Sequence, residues 1–250
     1  MIIVRLALSS VAFSAAVNDF LRYLYTNLFE SSHKSLKMYQ HRTSTIFLSI
    51  ALLRSLRLAF LRLKLFSLQI SFGIKGGPLM RFICDGSIHC GGPVSVGKDV
   101  SIVVQKGGRL VFDGNNYISD RCLISVPSNC YIKIARDVSL QTDSQLLGSI
   151  DIGKHCVLGP SLYINSGSHS FASRELPIHL QDELVPFDAS SQPVFLSDDC
   201  WIGQNVTILK GSNLPEGTVV GAKSLLTSSC DFPPYSIVVG VPARPISRRS

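Results

Sequence analysis

The sequence predicts an all-β solenoid, a parallel β-helix of hexapeptide repeats, with an α-helical segment ahead of it. Three observations lead there: aliphatic residues recur every six positions, glycine follows several of them, and the composition changes abruptly after Gly76-Gly77-Pro78. A helix would repeat at three and four, and a plain strand at two. A period of six fits a coil of three short sides, each pointing one aliphatic residue inward before a corner. One coil is not stable alone, but stacked coils bury a continuous aliphatic column and pair their backbones.

The first element, residues 1–75, is apolar and basic. It carries ten Lys and Arg against two acids, a net of +8, whereas residues 76–250 carry fourteen against fifteen, a net of −1. The overall charge of +7 therefore does not mark a nucleic-acid-binding solenoid. A cationic, apolar segment reads instead as contact with an anionic membrane surface. Within residues 46–70, Arg54, Arg57, Arg62 and Lys64 fall inside an arc of about 160° on a helical wheel. Leu52, Leu56, Leu63 and Phe66 lie opposite. The pattern predicts a helix resting on a bilayer, or one packed on protein with snorkelling cations. No uncharged apolar run reaches the ~18 residues of a spanning helix. Residues 1–17 have one early cation, Arg5, and an apolar run broken by serines, so they read as an ordinary helix rather than a signal peptide.

The second element, residues 76–250, holds the ladder. One register runs Ile134, Leu140, Leu146, Ile152, Leu158, Ile164, and another runs Leu196, Ile202, Ile208, Leu214, Val220, Leu226. Shorter, offset traces occur at Val96 and Ile102 and at Ile118 and Ile124. Gly153, Gly159, Gly203 and Gly221 each follow a ladder residue, where a tight bend is expected to require glycine. Between the two registers, residues 165–193 contain Pro177, Pro186 and Pro193 and no six-fold column. This predicts a protruding loop, and a long loop on a rigid scaffold is usually functional. The seven cysteines are odd in number, form no CxxC pair and sit among apolar residues. They read as small buried thiols of a reduced, cytoplasmic protein.

From about Ile134 onward the sequence resembles the hexapeptide-repeat acyltransferases, and within them the bacterial capsular and lipopolysaccharide sugar O-acetyltransferases. The residues that carry the resemblance are Ile164-Asn165-Ser166-Gly167-Ser168-His169-Ser170, then the run from Asp199 through Trp201-Ile202-Gly203-Gln204 to Lys210-Gly211, then Val220-Gly221-Ala222-Lys223-Ser224, and Gly240-Val241-Pro242-Ala243-Arg244-Pro245-Ile246. The resemblance implies a left-handed coil, an exception to the right-handed crossover rule. It also implies a homotrimer with active sites between neighbouring solenoids, and acetyl-CoA lying along the coil as co-substrate.

A sugar hydroxyl attacks a thioester only when a base takes its proton, and a neutral imidazole suits that task. His169 aligns with the family's general base, so direct attack on bound acetyl-CoA is expected, without a covalent enzyme intermediate. By the same resemblance, Asn165 would orient His169 or the acceptor, and Trp201 would line the acceptor or thioester site. Backbone N–H groups of Gly203 or Gln204 would hold the oxyanion. Gly221, Ala222, Lys223 and Thr227 would border the pantetheine arm, with Lys223, Arg244 and Arg248 as phosphate partners. Ser228 stands where the family usually has a cation. His155, at a repeat corner, and His179, in the loop, form no metal-ligand cluster with the rest, so no metal is expected. The leading expectation is O-acetylation of a surface polysaccharide sugar or its precursor, with peripheral contact at the inner membrane face and no nucleic-acid partner. An N-acyltransferase acting on a nucleotide-linked amino sugar, or a non-catalytic glycan-binding or scaffold solenoid, would share much of this sequence.

Overall fold

A computed structural model describes residues 73–250, Phe187 excepted. The helical segment expected over residues 1–75, its cationic stretch at 46–70 and the membrane contact of residues 1–70 thus fall outside the described residues, apart from the last three positions. There, Ile74 and Lys75 already form a strand, paired in parallel with Val94 and Ser95.

The described chain is a three-sided parallel β-helix, as the ladder predicts. The first face is a nine-stranded sheet, the second has seven strands and the third has six. Leu140, Leu158, Ile202 and Val220 stack on the first face. Leu146, Ile164, Ile208 and Leu226 stack on the second. Ile134, Ile152, Leu196 and Leu214 stack on the third. All twelve are buried, and each sits about 4.8 Å from its partner in the next coil. The exterior residues of the strands alternate with them, as the two-residue pleat requires.

The offset traces near the start have a simple cause. Paired residues on the second and third faces are 22 apart in the early coils, as in Ile102↔Ile124 and Leu110↔Ile132, against 18 in Leu140↔Leu158. The early second and third faces have four-residue strands that point two residues inward, such as Ile102 with Val104 and Leu110 with Phe112. A side of eight residues replaces a side of six, so the ladder slips without breaking.

The corner glycines answer to a close approach between coils and not, as the sequence led one to expect, to a tight bend at the glycine itself. Gly153, Gly159, Gly203 and Gly221 do not have positive φ; the left-handed residue comes two positions later in each coil, at His155, Ser161, Asn205 and Lys223, with φ of 56–60°. Glycine is needed because the next coil passes so close. A Cβ on Gly153 would lie 2.6 Å from Asp198 N, and one on Gly203 would lie 2.8 Å from Ala222 N.

Inside the corners sit small residues, and several are cysteines. Cys122, Cys130, Cys156 and Cys200 are buried, Cys84, Cys90 and Cys230 are half-buried, and all seven thiols are free. The Cys122 thiol donates to Gln141 O and the Cys156 thiol to Ser197 O, at 3.1 and 3.3 Å. Burial pushes the Cys90 and Cys122 thiols up to about 11.

One interruption breaks this regularity. Ile152 pairs with Leu196, 44 positions on rather than 18, so 26 residues are inserted between the second-face strand Tyr163–Asn165 and the third-face strand Val194–Leu196. The insertion is the loop expected from the prolines, and it contains a short helix, Ile178–Leu184. Among the described residues no helix is long and apolar enough to cross a membrane.

Candidate active site

The inserted loop is fastened to the solenoid at both ends. Ser166 is fully buried; its hydroxyl accepts from Ser149 N at 2.7 Å and donates to Ala189 O at 2.7 Å. Gly148 makes room for it, since a Cβ there would lie 2.2 Å from Ser166 Oγ. At the far end Gly211 N donates to Gln192 O at 3.0 Å. In between, the buried Gln181 side chain accepts from Ser173 N and donates to the carbonyls of Ser173 and Leu176. These three bonds strap the outgoing arm of the loop onto the helix that carries Gln181.

His169 lies on that arm, close behind the Ser166 anchor. Its Nδ1 is 2.5 Å from Asp182 Oδ2, while Asp182 Oδ1 accepts from Ser170 N at 2.7 Å. The two bonds hold the Asp182 carboxyl below its ordinary range, the Ser170 N–H contributing most. An ionised carboxylate only accepts hydrogen bonds. Nδ1 must therefore carry a proton, and in the neutral ring Nε2 keeps its lone pair. The imidazole is 76% exposed, so a substrate hydroxyl can reach it. The arrangement can take a proton from a hydroxyl and hold it next to a carboxylate.

Asp182 was not among the residues singled out from sequence. It lies 13 positions from His169 and joins it only because the loop doubles back through the helix. Asn165, expected to orient the base, is committed elsewhere: its Oδ1 accepts from Gly167 N at 2.7 Å and its Nδ2 donates to Tyr163 Oη at 2.9 Å. These bonds shape the turn into the loop. His179 is on the loop helix, and His155 pairs at a corner with Asp137 at 3.5 Å.

Trp201 is on the first face, between Val157 and Val219, with 57% of its surface exposed. It borders an open pocket of about 280 Å³ shared with His155, Asp199 and Arg249. His169 is not part of that lining. Arg249 is held there by Asp199 Oδ2 at 2.7 Å and by Gly217 O at 3.1 Å.

The residues expected to border acetyl-CoA converge better. Gly203-Gln204 and Gly221-Ala222-Lys223 occupy successive turns of the corner between the first and second faces, with Lys223 N donating to Gln204 O at 2.9 Å. Gln204, Ala222 and Lys223 are exposed. Small side chains along this edge suit an extended amide-bearing arm, and exposed Lys223 and Arg244 suit phosphates. Thr227 ends the second face, where its hydroxyl pairs with Ser229. Gly203 is not an available oxyanion donor, because its N–H goes to Val220 O at 2.8 Å. Coil stacking consumes it, which leaves Gln204 of the two. Among the described residues no cluster of His, Cys, Asp and Glu has the form of a metal site.

No family model matches the chain. Individual proteins do. The Escherichia coli (strain K12) protein WcaF, named as a colanic acid biosynthesis acetyltransferase, is 32% identical over 119 residues, 48% of this chain and 56% of its own length. WbbJ of the same organism, named as a lipopolysaccharide biosynthesis O-acetyl transferase, is 26% identical over 177 residues, 68% of this chain and 78% of its own. A Schizosaccharomyces pombe protein named as an acetyltransferase is 33% identical over 99 residues, 40% of this chain and 43% of its own. The chain thus spans about half the length of the first curated relatives it matches. Among solved structures, the hexapeptide-repeat acetyltransferase VCA0836 of Vibrio cholerae with acetyl coenzyme A is 22% identical, with a TM-score of 0.42 over 72% of this chain and 73% of that one.

Proposed function

We propose that this relative of the hexapeptide-repeat acetyltransferases transfers an acetyl group from acetyl-CoA to a hydroxyl of a polysaccharide sugar or its precursor, with His169 as general base. The observation that carries the reading is the His169–Asp182 pair, set on the loop inserted into the solenoid with the imidazole 76% exposed. Relatives named for colanic acid and lipopolysaccharide biosynthesis support the acceptor class.

Nε2 takes the proton as the hydroxyl oxygen attacks the thioester carbonyl. The carbon–sulfur bond then breaks, and the proton passes from the imidazolium to the departing thiolate, which leaves as CoA-SH. Asp182 faces the imidazolium while it lasts. General-base assistance of this kind is worth about 10²–10⁴ in rate. The corner at Gln204, Ala222 and Lys223 supports the donor. The solenoid works as a homotrimer in which a neighbouring chain completes each site, and Trp201 is the first-face residue suited to that contact. Residues 1–70 supply a peripheral contact with the inner face of the membrane, which gives access to lipid-linked precursors from the cytoplasm.

The test is acetyl-CoA turnover by the full chain against a panel of oligosaccharides, lipid-linked sugars and nucleotide-linked amino sugars. An ester product on a glycan supports the proposal. An amide product would make the protein an N-acyltransferase, and no product with any acceptor would favour a scaffold.

A further inference from the structure

We infer that Asp182 is the positioning residue of the base: it fixes the tautomer and the direction of His169, and Gln181 holds Asp182 in place to do so. The inference rests on the proposed role of His169 and adds a residue to it. Three observations carry it.

The first is how the carboxylate divides its work. Oδ1 takes Ser170 N–H and Oδ2 takes His169 Nδ1, so one group fixes both the backbone beside the imidazole and the ring itself. A neutral ring held through Nδ1–H presents an unprotonated Nε2, the form a base must have. The second is the support behind it. The neighbouring helical residue Gln181 makes three hydrogen bonds to Ser173 and Leu176, and Ser170 Oγ donates to Val185 O just past the helix. The loop therefore cannot carry His169 away from Asp182 without breaking bonds on both sides of the helix. The third is elimination. Asn165, the residue the resemblance offers for this role, has its amide hydrogen-bonded to Tyr163 and Gly167 and not to His169. The whole base assembly is thus built within the insertion.

The experiment uses the full-length protein with Asp182→Asn and Asp182→Glu. Asparagine keeps an oxygen for Ser170 N–H but offers Nδ1 an amide that donates, so the opposite tautomer is favoured. Expected for Asp182→Asn is a kcat lower by at least about 10-fold, the smallest cost of losing an outer-shell partner that orients a metal-bound histidine, and by up to about 10⁴-fold, the loss seen when the Asp behind a general-base histidine becomes Asn, with KM for acetyl-CoA unchanged within about twofold and Tm unmoved. Asp182→Glu restores most of the rate. In ¹⁵N-labelled protein, with the His169 signal identified by its loss in His169→Gln, the pattern moves from Nδ1–H in the parent to Nε2–H in Asp182→Asn. A kcat for Asp182→Asn within twofold of the parent, or an unchanged tautomer signal, overturns the inference. Equal losses in both variants accompanied by a lower Tm also overturn it, since the carboxylate would then be only structural. The tautomer measurement needs no acceptor. If the parent itself transfers nothing, the proposed function fails while the role of Asp182 in setting the imidazole is still decided.

Discussion

Gly153→Ala separates two reasons for a corner glycine. If the bend needed a left-handed residue at this position, alanine would suffer from its own backbone. The left-handed residue is His155, however, with φ of 60°, and the obstacle at Gly153 is the next coil. A Cβ there would lie 2.5 Å from Asp198 Oδ1, 2.6 Å from Asp198 N and 2.6 Å from Ser197 C, where ordinary contact begins at 3.4 Å. The neighbouring coil would have to retreat by about 0.8 Å, the difference between 3.4 and 2.6 Å. That segment is tied down by Gly153 N to Leu196 O at 2.7 Å, Asp199 N to Lys154 O at 2.8 Å and Lys154 N to Asp198 Oδ1 at 2.8 Å. Overpacking of this kind costs about 1–3 kcal/mol, which for a domain of this size lowers Tm by roughly 2–4 °C per kcal/mol. The control is His155→Gly. Relief of a left-handed L-residue gains about 1–2 kcal/mol, offset by about 0.5–1 kcal/mol of added freedom in the unfolded chain. Its Tm should hold or rise slightly. Thermal unfolding followed by circular dichroism at matched protein concentration reads both. A Gly153→Ala melt within 1 °C of the parent, or a larger loss in His155→Gly than in Gly153→Ala, would rule out close approach as the reason for the glycine.

Other consequences can be checked in the same preparations. Ile202→Ala, in the middle of the first-face column, should cost about 2–5 kcal/mol, as buried aliphatic truncations do, and chemical denaturation would show it. Replacing residues 167–191 with a short Gly-Ser linker should leave the β-helix spectrum and a cooperative melt in place while abolishing acetyl transfer, because Ile152 and Leu196 pair without the insertion. With the Cys90 and Cys122 thiols pushed up to about 11 by burial, alkylation of native protein at pH 8 should label fewer than the seven thiols that unfolded protein offers. The Arg121 guanidinium holds the Asp143 carboxyl below its usual range. A carboxyl depressed on folding stabilises the fold above its unfolded value near ~3.9, and the contribution fades as pH falls through the folded value. Asp143→Asn should therefore flatten the dependence of stability on pH at the acid end of the curve.

The ladder was legible because a coil side of six residues leaves one inward aliphatic per side, and Ile134 to Ile164 obey that spacing without exception. The early coils were only half legible, since sides with two inward residues, such as Leu110 with Phe112, move the column by two. Their corners did leave a signal in Asp99, Asn115, Asn129 and Asp137, each three positions before a ladder residue and each at positive φ, a conformation that Asn and Asp tolerate best. His169 was found through its motif, but Asp182 was not. Its partner is set by how a helix of only seven residues folds back, and no spacing rule encodes a contact across a loop. The commitment of the Gly203 N–H to Val220 O is likewise a property of stacked coils.

Whether His169 takes the acceptor's proton is read by comparing acetyl transfer from radiolabelled acetyl-CoA to a glycan acceptor in the parent and in His169→Ala, with acetyl-CoA binding measured on the same samples. The expected rate for His169→Ala is at least about 10²-fold lower, the low end of general-base assistance, with acetyl-CoA affinity and assembly unchanged. Transfer at the parent rate by His169→Ala would rule out His169 as the base.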